Sequence, residues 1–217
     1  KTEIRHITAG EYDAARELWD ICFPEDANGY SAYYFSRRTK PEYVLAAFAD
    51  GVMAGDLHAI PYPLRFADSV KPCAMVAGVA TRPQFRHMGI ASALIREAHR
   101  ELGLAGAAAA VLKPDVDFYA QFGYLPFSWH DEYTLRGDEA AGFAGKGGLI
   151  APDASRMLRI YDSFAKGYMG MMARDVRDME LYLEENALSG SAVCDGENYA
   201  LYYRGENGAE IYELAGK

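Results

Sequence analysis

Apolar positions change their period along the chain, and each change marks an element. Glu3–Ile7 reads as a short strand. Glu11–Cys22 reads as an amphipathic helix with Ala14, Leu18 and Ile21 on one face, and Pro24 stops it. Ser31–Phe35 adds an aromatic-rich helical turn. Tyr43–Ala49 is apolar nearly throughout and predicts a strand; Asp50-Gly51 turns it back into a second one, Val52–Ile60. Cys73–Thr81, again mostly apolar, predicts a strand central in the sheet. A polar connection, Arg82–Met88, leads into a helix over Gly89–Leu102 whose buried face is Ile90, Leu94, Ile95 and Ala98. Ala107–Leu112 predicts a buried strand, Val116–Phe122 a short helix closed by Gly123, and Tyr133–Arg136 a returning strand.

Residues 137–148 hold five glycines and read as a linker and domain boundary. Beyond it, Ala154–Gly167 and Asp175–Leu188 are helical by period. Ser191–Asp195, Tyr199–Tyr203 and Glu210–Leu214 then predict three strands. The order helix-helix-strand-strand-strand also precedes the Arg82–Met88 connection in the first half, a repeat of element order rather than of sequence. The second copy stops where the first supplies its polar loop and long helix, so the chain is expected to be a fragment of a longer protein. The expected division is residues 1–137, a linker over 138–150, and 151–217.

Composition narrows the function classes. With half of its 217 residues hydrophobic and 24% charged, the chain has the material for a packed core. A net charge of -9 without a Lys/Arg patch argues against nucleic acid. No apolar run reaches the roughly 20 residues that span a bilayer, so no membrane association is expected. Cys22, Cys73 and Cys194 are odd in number and widely spaced, which predicts buried thiols in a reducing, cytoplasmic compartment rather than disulfides or zinc. His6, His58, His99 and His130 show no ligand spacing and are expected to be surface or partly buried polar residues; no metal is expected.

The stretch that carries chemistry runs from Val79 to Leu94: a buried strand, a polar turn, then Arg86-x-x-Gly89-x-Ala91 opening a helix. A helix N-terminus offers unbonded N–H groups and a partial positive charge, and so can hold a diphosphate. Gly89 and Ala91 leave room for it, and Arg86 and His87 add charge. A bare R-x-x-G-x-A is also an ordinary strand–turn–helix connection. About 30 residues further on lies Tyr119-x-x-x-Gly123-Tyr124.

Together the two elements resemble motifs A and B of the GNAT N-acyltransferase superfamily. Leu18-Trp-Asp-Ile-Cys-Phe-Pro, Gly167-Tyr168 and Arg174-Asp175 make the chain similar to the Eis-like (enhanced intracellular survival) branch. Relatives of that branch carry two GNAT-type lobes and a sterol-carrier-like C-terminal domain and form homo-oligomers; by that resemblance the present chain is expected to lack the C-terminal domain. The resemblance implies an α/β (α+β) GNAT fold: a mixed central sheet flanked by helices, followed by a partial second GNAT-like lobe. It implies acetyl-CoA as cosubstrate, with Val79, Ala80 and Thr81 pairing the pantetheine by their backbone. Arg86, His87, Met88, Gly89, Ile90, Ala91 and Ser92 would hold the pyrophosphate, and Pro114 and Asp115 would line the cofactor.

The implied reaction is direct transfer of an acetyl group to a small-molecule or peptide primary amine, with Tyr119 as general acid; the other reading of Tyr119 is a packing tyrosine. No general base stands out. Glu25 and Asp26 could bind an amine or be solvated loop charges. Tyr30, Tyr33, Tyr34 and Phe35 could wall a substrate pocket or form a packed helix face. The alternative function is a non-catalytic acyl-CoA-binding, regulatory or structural module.

Overall fold

The computed structural model describes residues 2–113, 116–128, 132–137, 139, 148–206 and 208–217, with Ala27, Asn28 and Val116 given by their backbone alone. Pro114, Asp115, His130 and most of the expected linker lie outside the described residues. The chain divides into two compact units, residues 1–124 with 171–173 and residues 125–170 with 174–217.

The first unit opens with β1 (Thr2–His6) and α1 (Tyr12–Cys22), then α2 (Tyr30–Tyr33), which widens into a π-helical turn over Tyr34–Arg38. β2 (Val44–Ala49) and β3 (Val52–Pro61) form a hairpin. At its tip Asp50 and Gly51 both have positive φ, as a two-residue turn requires. A small separate hairpin follows, β4 (Leu64–Phe66) and β5 (Ser69–Lys71). Its strands are three residues long between prolines, too short to show a period. β6 (Cys73–Thr81), α3 (Ile90–Leu104), β7 (Ala109–Val111) and α4 (Val116–Ala120) complete the unit.

The main sheet runs β1-β2-β3-β6-β7, antiparallel throughout except for the parallel pair β6–β7. Each face has its own core. One packs Leu18, Trp19, Tyr34 and Phe35 against Val44, Ala46, Phe48 and Ala80; the other packs Ile90, Leu94, Ile95 and Ala98 against Leu45, Ala47, Leu57 and Val76. The buried face of α3 is the predicted one. That of α1 is not: Ala15, Leu18 and Trp19 point inward while Ile21 is exposed. The large ring of Trp19 sets the helix rotation, because burying it removes more apolar surface from water than burying Ile21 would. Residues 132–136 form no strand. His58, expected at the surface or partly buried, is completely buried.

The second unit holds α5 (Ala154–Ala165), α6 (Val176–Asn186) and an antiparallel sheet of β8 (Gly190–Cys194), β9 (Tyr199–Gly205) and β10 (Gly208–Ala215), in the order β10-β9-β8. Both helices start at aspartates: the side chain of Asp153 accepts from the Arg156 amide, and Asp175 and Asp178 form a reciprocal cap. A charged cluster ties helices to sheet. The Arg174 guanidinium lies 4.0 Å from the Tyr161 ring centre and 3.9 Å from that of Tyr182, and donates twice to the Glu213 carboxylate, at 2.7 and 2.6 Å. The Tyr199 hydroxyl donates to the same carboxylate at 2.7 Å. Burial works against the Arg174 charge, yet its pKa stays above the ordinary arginine value because Glu213 bonds to it. Replacing Arg174 with Ala should destabilise this unit by about 3–5 kcal/mol in urea unfolding, since Glu213 loses its counter-charge. Arg174→Lys should recover only part of that, because lysine has neither the bidentate fork nor the flat stacking face.

Candidate functional site

The site begins with an irregularity in β6. Asp56 pairs with Ala80 and His58 with Ala77, so Gly78 and Val79 together oppose Leu57. This bulge needs glycine twice over. Gly78 has φ +56, and a Cβ there would overlap the Trp19 ring. Before the bulge β6 has already lost its other neighbour, since β7 pairs only with Cys73–Met75. Among the described residues, Val76–Thr81 therefore has β3 on one side and no strand on the other. Val79, Ala80 and Thr81 lie on this open stretch, Ala80 buried and the other two half-buried. The Thr81 carbonyl accepts from Arg86 Nε at 3.3 Å and from the Cys22 thiol at 3.5 Å.

The chain then makes one tight turn, Pro83–Phe85, and enters α3 through two left-handed residues, His87 (φ 62) and Gly89 (φ 77). No side chain caps this helix. Its first internal bond runs from the Ala93 amide to the Gly89 carbonyl, so the amides of Ile90, Ala91 and Ser92 have no intrahelical acceptor. Arg86, His87, Met88 and Gly89 are exposed, and the space where Gly89 would carry a Cβ holds no protein atom. Glycine is required there by φ, not by crowding. The opposite holds at Gly55 in β3, whose Cβ would lie 2.7 Å from both the Ala80 carbonyl oxygen and Ile90 Cγ2. Gly55 thus lets the first residue of α3 press directly onto the sheet beside the open end of β6.

Tyr119 on α4 packs on the α3 side of the sheet, with its ring centre 5.0 Å from Phe118 and 5.7 Å from Tyr124. Tyr124 shares a 3.0 Å hydrogen bond with His99 Nε2. Burial pushes the Tyr124 phenol up to about 12 and the His99 imidazole below its usual range, so the pair is neutral at pH 7. Glu25 is exposed, whereas Asp26 accepts a 2.9 Å bond from the Trp19 indole. Tyr33, Tyr34 and Phe35 are buried, which makes them a packed face, while Tyr30 is half-buried.

Sequence reasoning missed Asp56 and read His58 as an ordinary polar residue, whereas the two stand two residues apart on β3 and are both buried. Their only trace is a pair of polar residues at alternate positions in an otherwise apolar strand. Among the described residues no group of three side chains could hold a metal.

With this geometry in view, a family model described as an acetyltransferase (GNAT) domain matches residues 3–127. The chain belongs to the GNAT acetyltransferase family. No curated protein matches it in sequence. Among solved structures it is similar to a GCN5-related N-acetyltransferase from Kribbella flavida, at 14% identity and a TM-score of 0.76, over all of this chain and 57% of that one. It is similar to Eis1 from Mycobacterium abscessus, at 18% and 0.71, over all of this chain and 59% of that one. An aminoglycoside N-acetyltransferase, AAC(6')-Iy, in complex with CoA matches 63% of this GNAT chain and 95% of its own, at 18% and 0.51. These likenesses establish the GNAT fold, and the chain spans less than two thirds of the first two structures' length. In a GNAT sheet built this way, Gly55→Ala should force α3 away from β3. The expected loss is about 1–3 kcal/mol in thermal or denaturant unfolding.

Proposed function

We propose that the first unit binds an acyl-CoA, acetyl-CoA in the simplest case, and transfers its acyl group to a primary amine. The observation that carries this reading is the meeting of an open strand edge with an uncapped helix N-terminus. An extended pantetheine has amide groups that can bond to the β6 edge as an added strand would, through Val79, Ala80 and Thr81. A pyrophosphate fits the free amides of α3, with Gly89 leaving its approach clear and Arg86 and His87 beside it. A protein of net charge -9 can hold an anion here because the amides, rather than a lysine cluster, supply the positive field.

The chemistry follows from what these groups can do. Backbone N–H groups at the bulge are suited to hold the oxygen of a tetrahedral intermediate. Tyr119 is assigned as the acid that protonates the leaving thiolate. On this reading residues 1–137 are the acyl-CoA-binding domain, joined through 138–150 to a partial second GNAT-like lobe over 151–217. The likeness to Eis1 along the whole chain supports placing it in the Eis-like branch. The amine class is open to direct assay, and aminoglycosides enter it because AAC(6')-Iy has been solved with a bisubstrate analogue, CoA-S-monomethyl-acetylneamine. The three free thiols fit a reducing, cytoplasmic setting.

Calorimetric titration with acetyl-CoA should give micromolar binding. Gly89→Glu, which puts a carboxylate where the phosphates would lie, should abolish it without unfolding the chain. Failure of the wild-type chain to bind would overturn the reading. Tyr119→Phe should leave acetyl-CoA affinity within about twofold and lower thiol release by roughly 10²-fold. An unchanged rate would return Tyr119 to a packing role.

A further inference from the structure

A hydroxyl, an imidazole and a carboxylate stand in line beneath the β6 bulge. The Tyr34 hydroxyl lies 3.1 Å from His58 Nδ1, with Thr39 Oγ1 at 3.5 Å from the same nitrogen. On the far side of the ring, His58 Nε2 is 3.6 Å from Asp56 Oδ2. That is beyond a hydrogen bond, and neither carboxylate oxygen nor Nε2 has a hydrogen-bond partner among the described residues. All three residues are closed off from solvent, Tyr34 at 3%, Asp56 at 1% and His58 at 0% exposure. A buried carboxylate with no donor is costly, and a fold retains one only with compensation.

Position supplies a reason. Asp56 is the ladder partner of Ala80, and Asp56 and His58 bracket the point where Gly78 and Val79 leave the β3 ladder. Trp19 seals this face, lying against Gly78 with its ring centre 5.4 Å from that of His58. Tyr34 sits where α2 widens into π-helical geometry, a local distortion frequent at functional sites. A bulge leaves one residue's backbone out of the ladder, so a single water there could satisfy both that backbone and Asp56.

Resting on the acyl-transfer reading above, we propose a buried proton relay from the attacking amine through one water at the bulge to Asp56, whose carboxylate His58 and Tyr34 hold in place. An ammonium gives one proton to Asp56, and the neutral nitrogen attacks the thioester carbonyl. The C–N bond forms and the C–S bond breaks. The thiolate takes a proton from Tyr119, and the second proton of the nitrogen restores the phenol. The products are an amide and a free thiol, and Asp56 returns its proton to solvent. His58 and Tyr34 are positioning residues, holding the ring so that Nε2 faces the carboxylate.

Electrostatics agree with the geometry. Burial raises the Asp56 carboxyl above its usual range, while His58 and Arg82 pull it down. A carboxylate shifted toward neutrality is the stronger base. Burial likewise raises the Tyr34 phenol well above the tyrosine range, with Tyr30, Asp56 and Tyr12 adding to the shift, so Tyr34 stays protonated. Since Asp56 binds a proton more tightly folded than unfolded, its charged form costs stability as pH rises through its folded pKa. Removing that charge should therefore not destabilise the fold at neutral pH.

The test uses the full chain, acetyl-CoA, and four amine probes: spermine, kanamycin, tryptamine and a lysine-containing peptide. Thiol release is followed across about pH 5 to 9, with acetyl-CoA affinity and Tm measured alongside. Asp56→Asn should keep acetyl-CoA affinity within about twofold and keep or raise Tm. It should lower kcat/KM by roughly 10²-fold or more and remove the rise of rate with pH. His58→Gln should shift that rise with a smaller loss. A variant that keeps both the rate and the rise, or loses Tm in step with the rate, overturns the relay and leaves a structural pair. Acetyl-CoA binding without thiol release from any probe overturns the relay but not the cofactor site. No acetyl-CoA binding overturns both.

Discussion

The first unit depends on one contact, the Trp19 indole laid on the backbone of Gly78. The ring fits only because position 78 has no side chain, and the left-handed φ of that glycine is what bends β6 out of register. The same ring sets the rotation of α1, stacks on Tyr34 at 4.4 Å between ring centres, and is itself held by Asp26. Strand distortion, helix orientation and the aromatic core on that face are therefore a single packing solution. Where β6 bends, its pairing with β7 has already ended, and an edge is left inside the sheet that an extended ligand can complete.

The two units treat buried polar groups in opposite ways. In the second, Arg174 and Glu213 are matched by two hydrogen bonds, two aromatic faces and the Tyr199 hydroxyl. Such a cluster rigidifies, because its opposite charges meet in a bidentate pair, with Arg174 Nε alone left unbonded among the described residues. In the first, Asp56 and His58 are buried more deeply, and three of their polar atoms have no partner among the described residues. Folding alone does not favour that arrangement, whereas a group that must accept and release a proton needs a form that is not already saturated.

The uncapped amides that open α3 in an acidic chain show how locally charge is decided. Net charge describes solubility and long-range steering; it says little about a helix terminus where several amides point the same way. Gly55 and Gly89 divide the labour there. Gly55 lets Ile90 seat against β3, and Gly89 turns the chain into α3 without a side-chain cap.

The sequence alone determined whatever rests on neighbours along the chain: the β2–β3 turn from Asp50-Gly51, the span of β6, the buried face of α3, the glycine that opens it, and the three-strand run of the second unit. Period and turn chemistry are local properties, and residues a few positions apart carry them. Tertiary structure decided the rest. Which side of α1 is buried depends on a glycine 59 positions away, and so places Trp19 inward and Ile21 outward. The β4–β5 hairpin is too short to have a period, and residues 132–136 pair with no strand among the described residues. Asp56, His58 and Tyr34 come together only when β3 packs on the segment after α2. Burial gives those side chains their chemistry, and burial belongs to the folded chain rather than to any stretch of it.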